Sequence, residues 1–213
     1  MTVLDAFAQY RIVPVVVLDD PAQGQSLAKA LTAAGLPLAE VTFRTPHSLE
    51  ALAAVAEDPS MIVGAGTVIS VPQVEAAVEA GARFVVSPGF SPAVVNRSRE
   101  LNVPVVPGVA TASEVIGALD AGITTVKFFP AEPLGGVATV RALASVFPSV
   151  RFVPTGGISP ANLATYLAEP AILAIGGSWV VKSALVAQHD WDQVTRLAAE
   201  AVDIVHQAGP RST

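Results

Sequence analysis

Short runs of apolar, largely β-branched residues recur along the chain, separated by alanine-rich stretches whose apolar positions return every three or four residues. The first pattern predicts strands and the second amphipathic helices. Eight strands are expected, at residues 12–18, 38–43, 61–64, 84–86, 103–106, 124–128, 151–153 and 172–175. Each is apolar along its length, where a sheet wet on one face would alternate. Strands buried on both faces and separated by helices imply a parallel sheet built from β-α units. Pro72 and the pair Ser159-Pro160 stand where helices would open, and Gly35, Gly81 and Gly122, each after an alanine, where helices would close just before a strand.

Eight such units in 213 residues favour one domain, 1–213, folded as an α/β (β/α)₈ TIM barrel, with an open doubly wound sheet as the other topology. The segment ahead of Ile12 is expected to form an extra N-terminal helix closing the bottom of the barrel. Residues 209–213 are expected to be a frayed tail.

Composition narrows the partners. With 52% hydrophobic and only 14% charged residues, the chain can build an extensive core and leaves a thinly charged exterior, some of which an oligomer would cover. A formal charge of −6 argues against nucleic acid or an anionic membrane as partner, since either needs a basic footprint. The absence of cysteine excludes disulfides, thiolate metal sites and a cysteine nucleophile. His47, His189 and His206 are scattered outside any metal-ligand spacing and read as surface or packing residues. No secretory leader and no stretch long enough to span a bilayer is legible, so a cytoplasmic protein is expected.

The chemistry is carried by polar residues in apolar company. Lys29 lies in a helical stretch and Lys182 beside small polar residues, but Lys127 interrupts the run Thr124-Thr125-Val126-Lys127-Phe128-Phe129-Pro130. Desolvation disfavours an ammonium and leaves more of the nucleophilic free amine, which makes Lys127 a candidate Schiff-base former. The alternative is a strand-end lysine whose stem packs while its head reaches solvent. Glu40, Thr42 and Arg44 are two apart and so point to one face of the second strand. Glu40 either shuttles protons beside Lys127 or forms an ion pair with Arg44 that orders the strand. Arg44 offers a rigid fork for a carboxylate, and an imine-forming amine with such a clamp describes a 2-keto-acid site. Thr155-Gly156-Gly157 and Gly176-Gly177-Ser178 are read as turns after the seventh and eighth strands, where barrels commonly bind phosphate; plain tight turns are the alternative.

Seven segments occur in order across most of the chain: Glu40-Val41-Thr42-Phe43-Arg44-Thr45, Val63-Gly64-Ala65-Gly66-Thr67-Val68, Val86-Ser87-Pro88-Gly89, Pro107-Gly108-Val109-Ala110-Thr111, Lys127-Phe128-Phe129-Pro130-Ala131-Glu132, Pro154-Thr155-Gly156-Gly157-Ile158-Ser159-Pro160 and Ile175-Gly176-Gly177-Ser178-Trp179. With them the sequence resembles the 2-dehydro-3-deoxy-phosphogluconate (KDPG) aldolases, which overlap with the 4-hydroxy-2-oxoglutarate aldolases. The resemblance implies a class I, metal-independent carbon-carbon lyase without cofactor, assembled as a homotrimer on the (β/α)₈ barrel. It implies an imine on Lys127, proton movement by Glu40, a pyruvyl portion held by Arg44 and Thr67, and a pocket lined near the nucleophile by Pro88. Thr155, Gly156, Gly157, Gly176, Gly177 and Ser178 would receive the distal, phosphorylated end.

The galactonate-type relatives replace the second-strand arginine with a smaller polar residue, carry an arginine near the end of the first strand and lack the threonine before the seventh-strand glycines. Arg44, Thr155 and Val15-Val16-Val17-Leu18 here favour the gluconate type, with a galactonate-type aldolase as alternative. Ala110 departs from many members of the family without affecting any named role. A phosphate-ester isomerase or synthase on the same barrel, with Glu40 as sole base, and a catalytically silent small-molecule binder are the rival readings.

Overall fold

The structure, a computed structural model, describes residues 1–209, so the expected frayed tail lies outside the described residues beyond Gly209. Helix α1 (Val3–Tyr10) precedes β1 (Ile12–Val16), and a 3-10 turn at Pro21–Gln23 leads into α2 (Gly24–Ala33). There follow β2 (Leu38–Thr42), α3 (Ser48–Ala56), β3 (Ile62–Gly66), α4 (Val71–Glu79), β4 (Val85–Val86), α5 (Pro92–Glu100), and the short strands β5 (Val105–Val106) and β6 (Gly108–Val109). The remaining elements are α6 (Ala112–Asp120), β7 (Thr125–Phe128), a 3-10 turn at Glu132–Leu134, α7 (Gly136–Val146), β8 (Arg151–Pro154), α8 (Pro160–Leu167), β9 (Ile175–Gly177), α9 (Ser183–Ala187) and α10 (Trp191–Ala208).

The alternation is α/β, and every strand pair is parallel, in the orders β5-β4-β3-β2-β1-β9 and β6-β7-β8. Isolated parallel bridges, Phe152 to Ile172 and Thr155 to Gly176, connect the β8 side with the β9 side. Helix punctuation follows the sequence. Pro72 and Pro160 occupy the first turns of α4 and α8, and Gly35, Gly81 and Gly122 end helices at φ of +74°, +96° and +74°, where glycine carries no Cβ penalty.

Two expectations are corrected. The single strand expected at 103–106 is two strands interrupted at Pro107, which has no N–H to give a ladder, with Gly108 and Val109 continuing against β7. The last strand is Ile175–Gly177 rather than 172–175, so Gly176 and Gly177 belong to a strand and not to a turn after it. They pair with Val13 and Pro14 of β1, and their lack of side chains is needed there: a Cβ on Gly176 would lie 2.1 Å from the Thr155 hydroxyl.

The all-apolar strands are explained by two cores. Ala39, Val41, Val126 and Phe128 belong to the large cluster shared with the helices, including Leu27, Leu31, Leu52 and Val55. Residues of opposite parity, Val13, Leu38, Val86, Val106 and Val153 in the strands and Phe84 just before β4, form a second cluster with Val3 and Phe7 of α1. The Phe7 and Phe84 rings meet edge to face at 5.1 Å, and burial of each ring stabilises by about 1.5–3 kcal/mol. Among the described residues no helix is long and apolar enough to cross a membrane.

Candidate active site

Since Val126 and Phe128 face the helices, alternation turns Lys127 to the other side of β7. Lys127 is 3% exposed, and its Nζ donates to Glu40 Oε1 at 3.1 Å. The Phe129 ring centroid lies 5.5 Å from the same nitrogen. The ammonium head is therefore not in solvent, and the snorkelling alternative is set aside. Glu40 pairs with Lys127 and not with Arg44, so the alternative ion pair within β2 is also set aside.

Glycine makes room for this pair. Glu40 is in register with Gly64 and Thr42 with Gly66, and a Cβ on Gly66 would lie 2.3 Å from Glu40 Oε1. Below, the Phe84 ring occupies the space a Gly64 side chain would need, 2.3 Å from the position of its Cβ. Thr42 is spent on the fold, its hydroxyl donating to the Val16 carbonyl at 2.9 Å.

Arg44 lies two residues past the end of β2 and is exposed, with its Nε donating to the Thr67 hydroxyl at 3.3 Å. Thr67 sits just after β3 with φ of +59°, unusual for a β-branched residue and costing on the order of 1–3 kcal/mol. Such strain persists where surrounding structure or function demands it. Its hydroxyl is thereby turned toward the arginine.

A cavity of about 130 Å³ opens beside Arg44, bordered by Thr155, Gly156, Gly157, Gly176 and Ser178, with Val15, Phe129 and Ile158 as its apolar wall. Gly156 and Gly157 adopt φ of +106° and +81°, leaving their backbone bare toward this space. The turn is tied to the segment after β7, since the Ala131 and Glu132 N–H groups donate to the Thr155 and Gly156 carbonyls at 2.9 and 3.0 Å.

The sequence-derived residues thus fall into groups. Lys127 and Glu40 are in contact, as are Arg44 and Thr67, and Arg44 shares a cavity with Thr155, Gly156, Gly157, Gly176 and Ser178. Gly177 does not border that cavity; it is buried in β9 over the Trp179 ring, which a Cβ there would approach to 2.2 Å. Pro88 is half-buried, its carbonyl pressed on Gly108, the residue in register with Lys127. Phe129 and Ile158 were not foreseen in the lining, and Val15 only as part of the first-strand run that favours the gluconate type. Spacing could have found Phe129, two residues beyond Lys127, and pairing Val15, in register with Glu40. Among the described residues no group of three or more His, Asp or Glu side chains is placed to hold a metal ion.

The arrangement offers a buried amine beside a carboxylate, an arginine fork at the rim and a glycine turn with exposed backbone. These groups can bind an anionic carbonyl compound at both ends and exchange protons in the middle. Comparison with known proteins agrees. The family model for KDPG and KHG aldolase matches residues 3–197. A 2-dehydro-3-deoxy-phosphogluconate aldolase of Treponema pallidum is 48% identical over 206 residues, covering 96% of this chain and 98% of its own. The structure of the 2-keto-3-deoxy-6-phosphogluconate aldolase of Zymomonas mobilis with 3-phosphoglycerate superposes with a TM-score of 0.90 at 42% identity, covering 95% of this chain and 96% of the other. A KDPG aldolase of Legionella pneumophila, solved with pyruvate captured as a covalent carbinolamine intermediate, gives 0.89 at 38% identity, covering 93% and 97%. A match running through nearly the whole length, at these identities, establishes that the chain belongs to the KDPG and KHG aldolase family.

Proposed function

We infer that this protein is a class I aldolase that cleaves 2-dehydro-3-deoxy-6-phosphogluconate to pyruvate and glyceraldehyde 3-phosphate, and that it also cleaves 4-hydroxy-2-oxoglutarate to pyruvate and glyoxylate. The observation that carries this reading is the buried Lys127–Glu40 contact at 3.1 Å. A lysine sequestered with a carboxylate, next to a carboxylate-binding arginine, is what imine chemistry on a 2-keto acid requires.

The steps follow from the geometry. Arg44, steadied by Thr67, grips the substrate carboxylate and presents C2 to Lys127. Glu40 accepts a proton from the lysine, the free amine adds to C2, and the carbinolamine loses water with Glu40 supplying the proton. The resulting iminium withdraws electrons. Glu40 then removes the C4 hydroxyl proton, through water, and the C3–C4 electron pair moves into the iminium as the bond breaks. The aldehyde leaves, C3 of the enamine is protonated, and hydrolysis of the imine releases pyruvate and the amine. Thr155, Gly156, Gly157, Gly176 and Ser178 hold the phosphate, with Gly177 supporting them from behind and Pro88 shaping the floor near Lys127.

The fold we propose is a closed (β/α)₈ barrel formed by residues 1–213 as one domain. The Thr155–Gly176 bridge and the one-residue gap at Pro107 support treating the two sheets as one ring of eight strands. Helix α1 closes its lower end, a role supported by Phe7 in the inner cluster. The protein works as a cytoplasmic homotrimer, an assembly that would cover exposed apolar side chains such as Ile69 and Ile116. The gluconate-type substrate is preferred to the galactonate-type because Val15, not an arginine, walls the cavity at the first strand.

The decisive experiment is incubation with pyruvate and borohydride followed by mass analysis of the tryptic peptide bearing Lys127. Reductive addition of pyruvate is expected there, and none in Lys127→Ala. An unlabelled peptide would return the isomerase reading, in which Lys127 is incidental.

A further inference from the structure

One polar contact near the site, between a buried tyrosine and an exposed carboxylate, is left unused by these steps. Glu132, in the 3-10 turn after β7, accepts a hydrogen bond from the hydroxyl of Tyr166 on α8. Tyr166 is 1% exposed, and burial, reinforced by the Glu132 hydrogen bond and charge, pushes its hydroxyl well above the ordinary tyrosine value, so that it remains a donor. The two groups come from either side of the Thr155-Gly156-Gly157 turn. Glu132 precedes it in space, its N–H held by the Gly156 carbonyl at 3.0 Å, and α8 follows it in sequence.

Packing at the turn is close. A Cβ on Gly157 would come within 2.6 Å of Glu132 Cβ, and one on Gly136 within 2.7 Å of Glu132 Oε1 and 2.9 Å of the Tyr166 hydroxyl. Gly156 and Gly157 have no side chains with which to fix their own φ and ψ, and the direction of a backbone N–H depends on those angles. Any anion held by this turn therefore depends on what clamps it from outside. The contact spans 34 residues and joins the segment that follows the Lys127 strand to the helix that follows the turn.

We propose that Glu132 is a positioning residue which, through its hydrogen bond from Tyr166, holds the Thr155-Gly156-Gly157 turn in the shape that receives phosphate, and so sets the preference for phosphorylated over unphosphorylated 4-hydroxy-2-keto acids. This rests on the aldolase reading above. Lys127, Glu40 and Arg44 lie outside the clamp, so imine formation with pyruvate does not depend on it.

The test uses the full chain, the variants Glu132→Ala, Glu132→Gln and Tyr166→Phe, and three measurements: kcat and KM on the phosphogluconate substrate, the same on 4-hydroxy-2-oxoglutarate, and the rate of borohydride labelling by pyruvate. Glu132→Ala and Tyr166→Phe are expected to raise KM for the phosphorylated substrate about tenfold, the size of one hydrogen bond to a charged group. Their KM for 4-hydroxy-2-oxoglutarate and their labelling rate should match the unaltered chain. Glu132→Gln, which keeps an acceptor for the tyrosine, should restore most of the affinity. Tyr166→Phe keeps the ring and its packing, so it tests the contact alone, whereas Glu132→Ala also removes side-chain atoms packed at Gly157. Equal losses on both substrates, or an unchanged KM for the phosphorylated one, would overturn the proposal while labelling by pyruvate keeps the aldolase reading. An unaltered chain that pyruvate does not label would overturn both.

Discussion

Lys127 and Glu40 touch at 3.1 Å although their strands, β7 and β2, share no ladder, and each side chain is only 4% exposed. Taking two charges out of water is costly, and their mutual attraction compensates only while both remain. Glu40→Ala is expected to lower stability by about 3–5 kcal/mol, because it strands a buried lysine. The double variant Glu40→Gln, Lys127→Met should recover most of that loss. Guanidinium unfolding of the three proteins checks it; a single variant as stable as the parent would mean that water already reaches the pair.

Gly66 gives a way to move Glu40 without removing it. A methyl at Gly66 would meet Oε1, Cγ and Cδ of Glu40 at 2.3, 2.6 and 2.8 Å, so the buried carboxylate must shift relative to Lys127. Gly66→Ala is therefore expected to lose roughly 10²-fold in kcat, the scale of an ångström's misplacement, and to lower the unfolding midpoint by no more than Glu40→Ala does. Turnover and thermal unfolding measured side by side decide it, and an active Gly66→Ala enzyme would show that the carboxylate need not stand where it does.

Glu114 offers a stability effect that depends on pH. Burial acts to raise its carboxyl, but hydrogen bonds from the Ala110 N–H, the Thr111 hydroxyl and the Thr111 N–H, at 2.8, 2.8 and 2.9 Å, outweigh it and hold it below the ordinary glutamate value. A group lowered in the folded state stabilises above its unfolded value, about pH 4.3, and that contribution fades as pH falls through the folded value. Glu114→Gln should therefore be less stable than the parent at pH 7, with the gap narrowing below about pH 4. Urea unfolding across that range measures it; a constant gap would mean that the charge is not what matters.

The contacts legible in the sequence were those in which a residue contradicted its surroundings. Lys127 and Glu40 are charges in apolar strands, and only a buried partnership relieves that conflict. The parallel α/β arrangement was legible because strands covered on both faces do not alternate. Strand ends were harder. Pro107 splits one strand and leaves Gly108 and Val109 as a separate pairing, and Gly176 and Gly177 read as a turn while serving β9. Glycine carries the same local signal in both settings, and only the neighbouring Thr155 and Trp179 side chains show why it is needed. The left-handed backbone at Thr67 runs against its residue type, so no propensity could have announced it. Glu132 and Tyr166 look ordinary in sequence, and their contact exists only once α8 packs beside the turn.

Ala110 contributes through its backbone, its N–H given to Glu114 at 2.8 Å. A backbone contribution of that kind is open to many residue types.

The aromatic contact between Phe7 and Phe84 belongs to the lower of two storeys of the molecule. Beneath the Lys127–Glu40 pair lies packed hydrocarbon that sees no ligand, and above it lie Arg44 and the glycine turn, which carry little of the core. On the proposed reading, substrate choice is written on this upper layer, where Arg44 and Ser178 are exposed while Thr155 and Gly176 also tie β8 to β9. A new specificity can be inscribed at the exposed positions of that layer while the foundation, and the reactive pair resting on it, stay as they are.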